Sequence, residues 1–123
     1  MRRPNPDDVR AALWTVRCQR RYRRLSRRTK VEEIEFPSSA RIGVRGAGAV
    51  ARLLRAHGAG GDHCLADALI AQAWRADHGD HVDVLIGVTS PSSGFSAHAW
   101  LADAPEAHAA GHEVISRIPS RPR

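Results

Sequence analysis

Apolar residues recur along this chain with two different spacings. Up to about residue 78, apart from the segment 31–36, they return every three or four positions, which is the spacing of one face of a helix. Beyond that point they form short β-branched runs or alternate with small and polar residues, which is typical of strands. The first pattern predicts helices over residues 8–28, about 39–57 and 64–78. The second pattern predicts strands over residues 81–88, 95–102 and 111–118.

Turn-forming residues separate these elements. Gly79 stops the third helix, residues 57–62 form a glycine-rich turn, and three glycines weaken the start of the second helix. The segment 31–36 alternates apolar and acidic residues, so it is a short strand or an extended linker. Helices followed by strands predict an α+β fold. We divide the chain into an N-terminal helical arm with a linker, residues 1–36, and a domain, residues 37–123.

Positive charge is concentrated at the N-terminal end. The chain has 19 basic and 13 acidic residues, a net charge of +6. Residues 1–30 hold eleven of the basic residues and two of the acidic ones, so the remainder is slightly acidic. Three interpretations of this arginine-rich helix stay open: it binds nucleic acid, it is the solvated face of a packed amphipathic helix, or it docks acidic proteins or an acidic peptide. We expect protein partners rather than nucleic acid.

The sequence argues against several classes of protein. No apolar run approaches the roughly 20 residues of a membrane-spanning helix, and no secretory signal is present, so we expect a cytoplasmic protein without a membrane span. The two cysteines, Cys18 and Cys64, are too few for a disulfide framework. The histidine-rich stretches 77–81 and 108–112 lack the paired spacing of zinc sites, and no glycine-rich segment has the Lys-Ser/Thr of a phosphate loop. We therefore expect no metal and no other cofactor.

Two residues carry candidate chemistry. Cys64 falls at the start of the third predicted helix, where the helix dipole and unpaired backbone N–H groups favour a thiolate. The same N–H groups suit an oxyanion formed during acyl transfer. His98 lies on the second predicted strand, and a helix-start cysteine followed by a strand histidine is the order found in one large class of cysteine enzymes. The alternatives are a buried structural cysteine and a packed histidine.

Four short motifs around these residues occur in a fixed order. They are Cys64-Leu65 ahead of an Ala/Leu-rich helix, the strand Ile86-Gly87-Val88, a short loop over residues 89–94, and Ala97-His98-Ala99-Trp100. Together they resemble the leader peptidases of lasso-peptide biosynthesis, which are small transglutaminase-like cysteine proteases. The resemblance implies a transglutaminase/papain-like α+β fold, in which a nucleophile helix packs on a small antiparallel sheet. It also implies hydrolysis of one peptide bond in a ribosomally made precursor.

By this resemblance Cys64 is the nucleophile, and His98 is the general base that later protonates the leaving amine. An acid is expected to orient the imidazole, and here the chain departs from the family. The position twelve residues after His98, where the family commonly has aspartate, is Ala110. Glu113 on the final predicted strand is our choice for the third catalytic residue, and Asp103 is the alternative.

The resemblance also implies partners. They are the precursor peptide, a small leader-recognition protein that delivers it, and an ATP-dependent macrolactam synthetase, the lasso cyclase, that closes the ring after cleavage. No cofactor is implied for the cleavage itself. The missing aspartate keeps a second hypothesis open: a non-catalytic basic module of the same fold that binds a partner protein or nucleic acid.

Overall fold

The fold is known from a computed structural model that describes residues 5–56, 63–89, 92, 94, 96–105 and 109–123. Three α-helices precede a three-stranded sheet. The helices are α1 (Pro6–Leu25), α2 (Ala47–Ala56) and α3 (His63–Asp77), and the strands are β1 (Val84–Thr89), β2 (Ala97–Leu101) and β3 (His112–Ile118). This arrangement confirms the predicted α+β fold. The turn predicted at residues 57–62 lies outside the described residues.

A capping box starts α1. The Asn5 side chain accepts a hydrogen bond from the Asp8 backbone N–H at 2.9 Å, and the Asp8 carboxylate accepts one from the Asn5 N–H at 3.3 Å. These bonds satisfy N–H groups that a helix start leaves unpaired. The neighbouring Asp7 accepts a hydrogen bond from the Gly43 N–H at 3.1 Å. The first turn of α1 therefore also holds the segment that leads into α2.

One hydrophobic core joins α1 to the other elements. Ala11, Trp14 and Cys18 of α1 are buried together with side chains of α2, α3 and the sheet. Trp14 packs against Trp74 of α3 with ring centroids 5.5 Å apart, and its indole N–H donates to the Pro37 carbonyl at 2.8 Å. The predicted division into an N-terminal arm and a domain thus separates segments that share a core. Most arginines of α1 lie on its exposed face.

The second helix begins later than the sequence pattern predicts. The pattern places its start near residue 39, whereas α2 starts at Ala47, after one 3-10 turn at Val44–Gly46. Gly46 lies so close to α1 that a Cβ atom built on it would be 2.7 Å from the Cβ of Ala11. Only glycine permits this close contact with α1. The segment ahead of Ala47 therefore packs against α1 and does not form the first turns of the predicted helix.

The segment 31–36 is a linker and not a strand. Val31–Glu33 form one 3-10 turn, and the chain then runs extended, with Ile34 and Phe36 buried and Glu35 exposed. The apolar residues of the alternating pattern thus enter the core. No strand among the described residues pairs with this segment, because the sheet consists of β1, β2 and β3.

The sheet is antiparallel, with β1 between β2 and β3. β1 pairs with β2 in unbroken register, which places Gly87 opposite His98. The register between β1 and β3 shifts between Ile86 and Gly87, where a β-bulge leaves Ile115 without an opposite residue. The bulge changes which side chains of β3 share a face of the sheet.

Polar contacts fix α3 on the sheet near the C-terminal end of the helix. The buried Gln72 amide donates to the Val82 carbonyl at 2.9 Å and to the Ile118 carbonyl at 3.0 Å. One turn later, Arg75 donates two hydrogen bonds, of 2.8 and 2.5 Å, to Asp103 just beyond the end of β2. The chain reverses within a few residues between α3 and β1, so the N-terminal end of α3 lies at the other end of the sheet.

A buried carboxylate ties Ser39 and Arg123 to the end of α3. The Asp77 side chain is 3% exposed and accepts a hydrogen bond from Nε of Arg123 at 2.7 Å. It also accepts from the backbone N–H and the hydroxyl of Ser39, at 2.7 and 2.8 Å. Burial alone would raise the pKa of Asp77, but the hydrogen bonds from Arg123 and Ser39 outweigh it and hold the pKa below its usual value.

Replacing Asp77 by Asn tests this anchor. Because its pKa is lowered in the folded state, the carboxylate stabilises the fold at pH values above its unfolded pKa of about 4 and loses this effect as the pH falls through the folded pKa. We expect Asp77→Asn to lower the free energy of unfolding by about 1–3 kcal/mol at neutral pH. The difference from wild type should shrink below about pH 4 in urea unfolding measured at several pH values.

Asp80→Asn is the matched control for this experiment. Asp80 pairs with Arg75 at 2.5 Å, but its side chain is 57% exposed. Exposed ion pairs contribute under about 1 kcal/mol, so this variant should unfold almost like wild type. An effect of Asp77→Asn that stays constant as the pH falls would contradict the role assigned to the carboxylate.

Candidate active site

Cys64 lies in the first turn of α3, one residue after the helix begins. Its half-buried side chain packs against the hydrophobic core. The backbone N–H groups of a first helical turn have no acceptor within the helix, and together with the helix dipole they favour a negative charge at this position. The helix-start position predicted for Cys64 is confirmed.

Cys18 differs from Cys64 in the features that control reactivity. It lies on the inner face of α1 and is 0% exposed. Burial raises the pKa of its thiol to about 12, and the neighbouring Arg123 and Arg17 offset this effect only in part. A thiol that stays protonated lacks the nucleophilic thiolate. Cys18 is therefore a core residue.

His98 is the second residue of β2, so its predicted position on a strand is confirmed. Its half-buried ring stacks on Trp100 with centroids 5.5 Å apart and an interplanar angle of 22°. Alternate residues of a strand share a face. His98 and Trp100 therefore lie on one face of the sheet, and Ala99 packs into the core on the other face.

Cys64 and His98 lie at the same end of the paired elements α3 and β2. α3 packs mainly on β2, an edge strand of the sheet, and the contact between Arg75 and Asp103 fixes the distal ends of both elements. From this contact both elements run back in the same direction, α3 toward Cys64 and β2 toward His98. Cys64 and His98 are therefore both at the ends remote from the Arg75–Asp103 contact, with α3 packed on the Ala99 face of β2 and His98 on the other face.

On β3, the register places His112 on the face of the sheet that carries His98. His112 is opposite Thr89, which lies two residues beyond Gly87 and therefore on the same face. The ring centroids of His98 and His112 are 5.4 Å apart. Glu113 is the next residue along β3; it is exposed and lies on the other face. The pairing thus brings His112 to His98 and does not bring Glu113 there.

Gly87 makes room for this group of rings. A Cβ atom at Gly87 would lie 2.6 Å from the edge of the Trp100 ring and 3.0 Å from the Cβ of His112. Trp100 is 5% exposed, and its ring centroid is 6.0 Å from that of His112. The glycine of the Ile-Gly-Val strand therefore allows a close approach of side chains from both neighbouring strands.

Asp103, the alternative to Glu113, forms an ion pair with Arg75 at the other end of β2. The hydrogen bonds that it accepts from Arg75 lower the pKa of Asp103. Since His98 is near the start of β2 and Asp103 follows its end, the two side chains are not brought together.

The part of the chain that the structure describes contains neither a metal-binding cluster nor a membrane-spanning helix. Within it, no three His, Cys, Asp or Glu side chains come close enough to hold a metal ion. None of its helices is long and apolar enough to cross a membrane.

Comparison with known families agrees with this geometry. The family model described as the transglutaminase-like superfamily matches residues 10–115, from α1 into β3. The chain therefore belongs to the transglutaminase-like superfamily, whose fold is generally that of cysteine peptidases and transferases. Searches of curated proteins and of solved structures found no match.

The contrast between the two cysteines predicts selective alkylation. When the folded protein is treated with iodoacetamide near neutral pH, we expect modification of Cys64 and protection of Cys18, because burial both shields the Cys18 thiol and keeps it protonated. Peptide mapping by mass spectrometry measures both sites in one sample. In urea the two should be labelled alike, and equal labelling in the folded protein would contradict the burial of Cys18.

Proposed function

We propose that this protein is a cysteine peptidase that removes the leader from a ribosomally made lasso-peptide precursor, with Cys64 as nucleophile and His98 as general base. The observation that carries the proposal is that a helix-start cysteine and a strand histidine both lie at the ends of α3 and β2 remote from the Arg75–Asp103 contact. Membership of the transglutaminase-like superfamily supports cysteine catalysis. The motif resemblance over residues 63–102 supports the choice of substrate.

In the proposed reaction, His98 takes the proton of the Cys64 thiol, and the thiolate attacks the scissile carbonyl carbon. A carbon–sulfur bond forms, and the negative charge that develops on the carbonyl oxygen is stabilised by N–H groups of the first turn of α3. Collapse of this intermediate breaks the carbon–nitrogen bond, and His98 protonates the leaving amine. A water molecule, deprotonated by the same imidazole, then hydrolyses the thioester and restores Cys64.

The exposed arginines of α1 support docking of acidic partners. None of these guanidinium groups has an ion-pair partner among the residues that the structure describes; they belong to Arg10, Arg17, Arg20, Arg23 and Arg24, with Arg27 and Arg28 in the turn that follows. Their charge complements an acidic leader or an acidic patch on a partner protein. The proposed partners are the precursor peptide, a leader-recognition protein and the lasso cyclase.

A non-catalytic basic binding module is the second candidate function. It is favoured by the positions of the two expected acids, because Glu113 lies on the other face of the sheet and Asp103 at the other end of β2. A module that binds nucleic acid would be retained on single-stranded DNA, and its retention would fade steeply as the salt concentration rises.

The dependence of Cys64 reactivity on His98 tests the peptidase proposal. We expect His98→Ala to slow alkylation of Cys64 at neutral pH by about tenfold or more, because removing the imidazolium lowers the fraction of thiolate. The measurement is the iodoacetamide labelling rate of Cys64, followed by mass spectrometry across a pH series.

His81→Ala is the matched control. His81 is exposed and contacts the Ser120 hydroxyl at 3.1 Å, ahead of β1 at the far end of the sheet. Its replacement should leave the labelling rate of Cys64 unchanged. A labelling rate that is the same in wild type and His98→Ala would contradict the catalytic pair and favour the binding module.

A further inference from the structure

The ring of His112 has a defined hydrogen-bonding direction. Its Nδ1 lies 3.0 Å from the Ala110 carbonyl oxygen. A carbonyl oxygen only accepts hydrogen bonds, so Nδ1 carries the proton and donates it. In a neutral imidazole the other nitrogen then has a free lone pair. This bond therefore leaves Nε2 of His112 as an acceptor.

His112 is also held beside His98 by packing. The two rings are 5.4 Å apart between centroids and are tilted by 43°. Trp100 contacts both rings, at 5.5 and 6.0 Å between centroids, and lies across Gly87. Rings at this separation are within reach of one hydrogen bond or one bridging water.

Of the sheet residues that the structure describes, His112 is the titratable side chain whose ring packs beside His98. The basic residue of β3 on the same face, Arg117, is opposite Leu85 at the far end and donates to Asp83 at 2.7 Å. β1 contributes Gly87 and Thr89 to this part of the face, and β2 contributes Trp100. Among the described residues of the sheet, no carboxylate occupies this end of the face.

We propose that His112 is a positioning residue for His98, and that it takes the role expected of an acid. Its Nε2 accepts, directly or through one water, the ring N–H of His98 that does not face Cys64. This contact fixes the orientation of the His98 ring and stabilises its protonated form. The inference rests on the proposed catalytic pair of Cys64 and His98 and adds a residue to it.

Three single variants of β3 separate this role from packing. His112→Phe keeps a ring in the cluster but removes both nitrogens, and we expect it to slow alkylation of Cys64 at neutral pH by about tenfold. His112→Gln keeps an oxygen acceptor and should recover most of the wild-type rate. Glu113→Gln is the matched control on the opposite face and should label like wild type. Thermal unfolding of each variant shows that the fold is retained.

A double variant tests whether His112 acts through His98. In the His98→Ala background, adding His112→Phe should change the Cys64 labelling rate by less than twofold, because the residue that it positions is absent. An effect equal to that in the wild-type background would show that His112 acts on the structure in general and would overturn the proposal.

The outcomes distinguish this inference from the function on which it rests. Slow labelling in Glu113→Gln with normal labelling in His112→Phe would overturn the inference and leave the pair of Cys64 and His98 intact. Equal slowing in the Phe and Gln variants would overturn the assignment of Nε2 as an acceptor. An alkylation rate of Cys64 that His98→Ala leaves unchanged would contradict the catalytic pair itself. It would also overturn the positioning role of His112, which depends on that pair.

Discussion

The buried amide of Gln72 is the contact on which the arrangement of α3 and the sheet depends. It donates to the carbonyl of Val82 before β1 and to the carbonyl of Ile118 at the end of β3. A buried polar group left without its partners destabilises a fold by about 1–3 kcal/mol, so these bonds fix the depth and direction of the helix. With its C-terminal half held in this way, α3 presents Cys64 at the opposite end of the sheet, where β2 begins and where His98 is its second residue.

Much of this fold follows from local sequence patterns. The spacing of apolar residues predicted α1, α3 and all three strands to within a few residues. α1, α3, β1 and β2 contribute apolar side chains to the common core, whereas β3 contributes only Ile118 among its otherwise largely exposed residues. The pattern was wrong about the start of α2, where Gly46 is used for a close approach to Ala11. Packing against α1 determines the conformation of the segment ahead of α2. In a single sequence, the sign of such packing is a glycine whose role the local pattern does not explain.

The candidate site was predictable in part for the same reason. A helix start and a strand are local features, so Cys64 and His98 could be placed on them from the sequence. Whether His112 or Glu113 faces His98 depends on the pairing of β3 and on the bulge that leaves Ile115 unpaired. A shift of one residue moves every side chain to the other face. The choice of Glu113 rested on its charge and on its place on the strand that follows β2, and neither determines the register.

The central claim is that Cys64 and His98 form an ion pair at the end of α3. NMR titration of the His98 ring carbons and nitrogens, compared between wild type and Cys64→Ala, tests it most directly, with the signals assigned from a His98→Gln variant. We expect the midpoint of the His98 titration to move when the thiolate is removed, because the two charges stabilise each other. Superimposable titration curves in the two proteins would contradict it.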